Sequence, residues 1–139
     1  MCVKMREILF RGKRKGNDFW IQGDLVRKNN ICYIYIAGIP REVIAESIGE
    51  YTGITDKNGV RIFEGDIVNV FYNPNYIGIS KDRVGNFIVV FHDGCFMKRK
   101  ITKPMSDDAG LYHFIQSDEF EVIGNIYDNP ELMGDNTNG

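Results

Sequence analysis

Chemistry-bearing residues are scarce in this 139-residue chain, and cysteine is the first of them: Cys2, Cys32 and Cys95 stand at unrelated spacings with no C-x-x-C. That pattern excludes a disulfide-stapled scaffold and a thiolate zinc site, and reduced thiols fit a reducing compartment. Cys32, inside an apolar strand pattern, reads as a small core hydrophobe. The two histidines, His92 and His113, form no H-x-x-x-H or H-E-x-x-H spacing that would aim two imidazoles at one metal. Phosphate cradles of the G-x-x-x-x-G-K-[ST] or strand-bounded G-x-G-x-x-G kind are absent too. No apolar run approaches the roughly 20 residues needed to cross a bilayer. The start, Met1-Cys2-Val3-Lys4-Met5-Arg6, lacks the apolar stretch of a secretory signal. These shortages lead to the expectation of a cytoplasmic protein with no membrane contact, no cofactor, no metal and no catalytic residues.

The composition is that of an ordinary folded domain, with 43% hydrophobic and 26% charged residues. The length is near the modal size of one domain, enough to bury a core unaided. The expected organisation is a single β domain over 1–133, with an N-terminal hairpin region at 6–37, a barrel core at 47–132 and a frayed tail at 134–139. The net charge of -2 hides a polarity. Lys4, Arg6, Arg11, Lys13, Arg14, Lys15, Arg27 and Lys28 crowd the start, whereas no Lys or Arg follows Lys103. Opposed ends of this kind can support head-to-tail subunit contacts or a local anionic partner, although solvated faces whose charges balance in three dimensions are the favoured explanation.

Strand patterns dominate. Residues 7–11 and 19–26, separated by the polar turn 12–18, read as a hairpin. Lys28-Asn29-Asn30 turns the chain into 31–37, so apolar that both faces are expected to be covered, or one to lie in a subunit interface. Pro40 suits the first position of a helical turn over 40–46. Asp56-Lys57-Asn58-Gly59 ends in the dipeptide that best tolerates positive φ at both central residues of a type I′ turn. Glu64-Gly65-Asp66 bends the chain into a strand over 67–72, with Asp66 able to bond the turn's own backbone. Strands follow at 86–92 and 95–100, joined at Asp93-Gly94, then at 111–115 and 120–127, the last ended by Asn129-Pro130. Between them, 77–83 reads as an exposed loop, and Tyr76, Ile77, Ile79, Lys81 and Arg83 are its candidate partner contacts.

Three strings carry a resemblance. Tyr51-Thr52-Gly53-Ile54-Thr55-Asp56-Lys57-Asn58-Gly59 with Phe63-Glu64-Gly65-Asp66-Ile67-Val68, and the ending Val122-Ile123-Gly124-Asn125-Ile126-Tyr127-Asp128-Asn129-Pro130-Glu131-Leu132, resemble the signatures of YopX-like proteins encoded by bacteriophages and prophages. The opening Arg6-Glu7-Ile8-Leu9-Phe10-Arg11, with Trp20 and Gly23, looks like the family's start. The resemblance implies a mainly β fold with a small SH3-like barrel, additional hairpins and little helix. It implies no activity and transfers no catalytic residue.

Reactive arrangements exist only on paper. Cys95 or Ser106 with His92 or His113 and an acid would make a triad, but no local sequence fixes that geometry. Glu64 and Asp66 could share a strand face, yet their glycine turn favours backbone capping. A non-enzymatic interaction or assembly module is therefore expected, a homo-oligomer with a host or phage protein as further partner. The alternative is weak nucleic-acid binding by Lys13, Arg14 and Lys15 near Phe19 and Trp20, together with Lys98, Arg99 and Lys100. A pI of 5.7 argues against a dedicated nucleic-acid binder.

Overall fold

The computed structural model describes residues 7–71, 84–101 and 120–133, and the backbone alone at 112–114. Eleven strands of the described residues lie in antiparallel ladders, and the chain divides into two compact units, Met1–Gly53 and Ile54–Gly139. The mainly β expectation holds. The ladders of the described residues draw open sheets rather than a closed barrel.

In the first unit β1 (Phe10–Lys13), β2 (Trp20–Lys28), β3 (Ile31–Ile36) and β4 (Ile39–Glu42) form a meander. Its two-residue loops take positive φ at both positions, at Asn29 (54°) and Asn30 (64°) and again at Ala37 (51°) and Gly38 (79°). Such mirror-image turns match the right-handed strand twist. Pro40 is therefore part of β4, opposite Tyr35, and does not begin a helix. The Ala37–Gly38 reversal offers 39–42 a ladder with β3, which outweighs a lone helical turn. Proline is acceptable there because β4 is the sheet's outermost strand. Helical backbone comes later, as a 3-10 turn at Ala45–Ser47. Ser47 anchors it by accepting from the Lys13 N–H at 2.7 Å and donating to the Ile44 carbonyl at 2.6 Å.

β4 also curls back on β1 through a bridge between Arg14 and Val43. The Lys15 N–H donates to the Glu42 carbonyl at 3.0 Å, and the Ile44 N–H to the Lys13 carbonyl at 2.9 Å. The curl stops at one residue pair because β5 (Gly49–Thr55) occupies the rest of that edge of β1. Inside it lie Ile34, with no exposure, and Val43. A side chain at Gly23 would run into the Tyr35 carbonyl oxygen, so the inner face is packed down to backbone.

The second unit holds the end of β5, then β6 (Arg61–Phe63), β7 (Asp66–Val70), β8 (Gly85–His92), β9 (Cys95–Lys100), β10 (Tyr112–Phe114) and β11 (Phe120–Asn125). The sheet order is β10-β9-β8-β7-β11. Alternation places Val68, Val70, Phe87, Val89 and Phe120 on one face, where with Ile62 they make the buried core. Ile67 faces Ile88 on the other side, and both are buried, so β7 is covered on both faces. The expected Asp93-Gly94 hairpin is present, with φ of 51° and 80°.

Candidate functional site

The strings that carry the resemblance fold onto one another. Asp56, 4% exposed, is the centre. Its Oδ1 accepts from the Asn58 N–H at 2.8 Å and the Val60 N–H at 2.9 Å, and its Oδ2 accepts from the Val122 N–H of β11 at 3.0 Å. The neighbouring Lys57 N–H donates to the Phe120 carbonyl at 3.2 Å. Burial alone would raise the Asp56 pKa, but the bonds from Val122, Val60 and Asn58, with the Lys57 charge, outweigh it and hold the carboxyl below its ordinary value. The Gly59 N–H donates to the Asp56 carbonyl at 3.0 Å, and the Asp56 N–H to the Val60 carbonyl at 2.8 Å. Positive φ thus falls at Gly59 (81°) and not at Asn58, a three-residue loop in place of the expected type I′ turn. The Asp56 carboxylate selects it by collecting the turn's N–H groups.

The second string closes in the same way. Asp66 Oδ2 accepts from the Phe63 N–H at 2.7 Å across the Glu64–Gly65 turn. Gly65 donates its N–H to the Val89 carbonyl at 2.9 Å and accepts from the Ile126 N–H at 3.0 Å. In the last string Asn125 Oδ1 accepts from the N–H groups of Tyr127 and Asp128, both at 2.9 Å, and Asn129 Oδ1 accepts from the Asn125 N–H at 3.1 Å. Gly124 is required here, because a Cβ would sit 2.5 Å from Asn129 Oδ1. The signature side chains therefore fasten backbone to backbone.

Other expected groups fall elsewhere. The register sets His92 opposite Cys95, and His92 Nε2 lies 3.3 Å from Asp93 Oδ2 in an exposed turn. Cys95 is a free, exposed thiol. His113 lies opposite Lys98 on β10, and Ser106 is outside the described residues. Among the described residues no group of three or more His, Cys, Asp and Glu is placed to hold a metal.

The basic residues fall in both units, Lys13, Arg14 and Lys15 in the first and Lys98, Arg99 and Lys100 in the second. Lys98 is only 4% exposed, a correction to its place among surface cations. Its partner across the ladder is buried Val89, which turns the side chain inward, where the ammonium lies 5.4 Å from the Phe87 ring centre and 5.3 Å from that of Phe120. Arg99 and Lys100 are half-buried in the same strand. Lys15 pairs with Glu42 at 3.2 Å. Arg14 is half-buried beside Val43, and Phe19 is 69% exposed. Trp20 is flanked by the Arg11 guanidinium at 4.6 Å and the Lys13 ammonium at 5.6 Å. Sequence reading noted Lys13 near Trp20 but missed Arg11, whose two-residue spacing from Lys13 was the available signal. Tyr76, Ile77, Ile79, Lys81 and Arg83 lie outside the described residues.

The outer side of β2 and β3 is the remaining feature. Tyr33 pairs with Val26, Tyr35 with Asp24 and Ile31 with Lys28, so all six share one face. Val26 is 38% and Ile31 37% exposed, and both tyrosines are half-buried.

In comparison with known structures, the crystal structure of protein EF1440 from Enterococcus faecalis matches with 22% identity and a TM-score of 0.50, over 93% of this chain and 99% of that one. At that identity the likeness concerns the fold. No curated protein matches significantly. The sequence profile described as YopX protein matches residues 4–134, nearly the whole chain. This chain belongs to the YopX family.

Proposed function

We propose that the chain is a non-enzymatic assembly module that associates with a second copy of itself through the outer face of β2 and β3. The observation behind this reading is β3 itself. Ile31-Cys32-Tyr33-Ile34-Tyr35-Ile36 has no charged residue, yet Ile34 alone is fully buried. A strand so apolar, left half open, has the aromatic and aliphatic composition of an interface core, and Asp24 and Lys28 supply a polar rim. The inward use of the signature carboxylates and amides supports the non-enzymatic part.

Light scattering coupled to size-exclusion chromatography tests it. The expected result is a multiple of the 15.9 kDa chain mass that survives high salt, with no retention of an oligonucleotide. The first unit carries nine basic and six acidic residues, so nucleic acid is the rival ligand. A monomer whose salt-sensitive oligonucleotide binding disappears on neutralising Lys13, Arg14 and Lys15 would replace the assembly reading.

A further inference from the structure

We infer that Asn58 is a latent deamidation site whose chemistry is held off by the Asp56 turn. Asn-Gly is the most reactive dipeptide for this reaction, because glycine's bare Cα leaves its amide nitrogen free to approach the preceding side chain. The Gly59 nitrogen attacks Asn58 Cγ, an N–Cγ bond forms, and the Cγ–Nδ2 bond breaks. Ammonia leaves, its third proton supplied by the Gly59 amide. Water then opens the cyclic imide at either carbonyl, leaving aspartate or isoaspartate at position 58.

Each group that must move is engaged in the fold. The nucleophilic Gly59 N–H donates to the Asp56 carbonyl at 3.0 Å, so deprotonation and rotation both require that bond to open. The Asn58 backbone N–H is held by Asp56 Oδ1 at 2.8 Å. The leaving Nδ2 donates to Glu121 Oε2 at 3.4 Å. Asn58 is itself exposed, so water is available for the second step once the turn opens. Reaction therefore proceeds from the locally opened state, and its rate scales with the population of that state. The product is not neutral to the fold. It places a new carboxylate beside Glu121 and Asp56, and the isoaspartate form adds a backbone methylene to the loop on which Val60 and Val122 depend. One opening event that lasts long enough to react prevents clean reclosure, which makes this turn a one-way failure point.

The test follows deamidation and isoaspartate at Asn58 by peptide mapping of the purified full-length chain at neutral to mildly alkaline pH, which separates it from the second Asn-Gly pair, Asn138-Gly139. Folded wild type should modify at Asn58 at least roughly tenfold more slowly than the same chain in denaturant, as expected for a reaction that waits on local opening. Glu121→Gln, which leaves the Asp56 bonds intact, should stay slow, whereas Asp56→Asn, verified as folded by circular dichroism, should approach the denatured rate. If Asp56→Asn does not fold, amide hydrogen exchange at Gly59 in wild type gives the opening population directly, and deamidation must track it as conditions are varied. Equal rates in folded and denatured wild type, or a folded-state rate independent of Gly59 exchange, would overturn the inference.

Discussion

Asp56 shows most plainly what the signature residues do. One buried carboxylate satisfies three N–H groups, two within its own turn and one 66 positions along the chain. Asp56→Ala leaves those donors without their acceptor and should destabilise the chain by about 2–4 kcal/mol in urea unfolding, at the upper end for one residue. The pH dependence follows from the lowered pKa. Because the folded value lies below the unfolded one, the contribution is complete above about pH 4, the unfolded carboxyl value, and is lost as pH falls through the folded pKa. Urea midpoints from pH 7 down to pH 2 should fall more steeply for wild type than for Asp56→Asn. Gly124 and Asn129 make a second case, since the Gly124 Cβ position collides with the atom that accepts from Asn125. Gly124→Ala and Asn129→Ala should each cost about 1 kcal/mol, and the double variant little more than either, because both remove the same bond.

Among the elements, the hairpins test how local sequence chose the turns. Ala37 sits at φ 51°, a region that L side chains disfavour, where the neighbouring hairpin uses Asn29 and the second unit uses Asp93. Ala37→Gly should stabilise the β3–β4 hairpin by about 0.5–1 kcal/mol, part of the strain relief being offset by unfolded-chain entropy, as thermal unfolding would show. Much of this level was legible in the sequence. Loose period-two alternation located β2, a nearly unbroken apolar run β3, and β-prone runs bounded by turn residues β7, β8, β9 and β11, with the Asn29-Asn30 and Asp93-Gly94 pairs marking turns. What was hidden depended on distant partners. Asn58-Gly59 looked like a type I′ turn because nothing nearby reveals that Asp56 also holds Val122. Lys98 looked like a surface cation because its inward direction is set by the ladder with Val89. Pro40 looked like a helix start because the reversal at Ala37, an unfavourable residue for it, is imposed by strand pairing.

For the whole molecule, the signature residues tie backbone to backbone, and the exposed face of β3 is the surface proposed for self-association. Tyr33 and Tyr35 lie on that face and belong to none of the hydrogen-bond sets around Asp56, Asp66 or Asn125, so changing them separates association from folding. The Tyr33→Asp, Tyr35→Asp double variant brings two charges to an apolar patch while leaving Ile34 and Val43 in place beneath it. Sedimentation velocity on wild type and this variant, at low and high salt, is the decisive measurement. Wild type should sediment as an oligomer at both salt concentrations, and the variant as a 15.9 kDa species with unchanged circular dichroism and unfolding midpoint. A monomeric wild type at every concentration, or a variant that still assembles, would contradict the role assigned to this face.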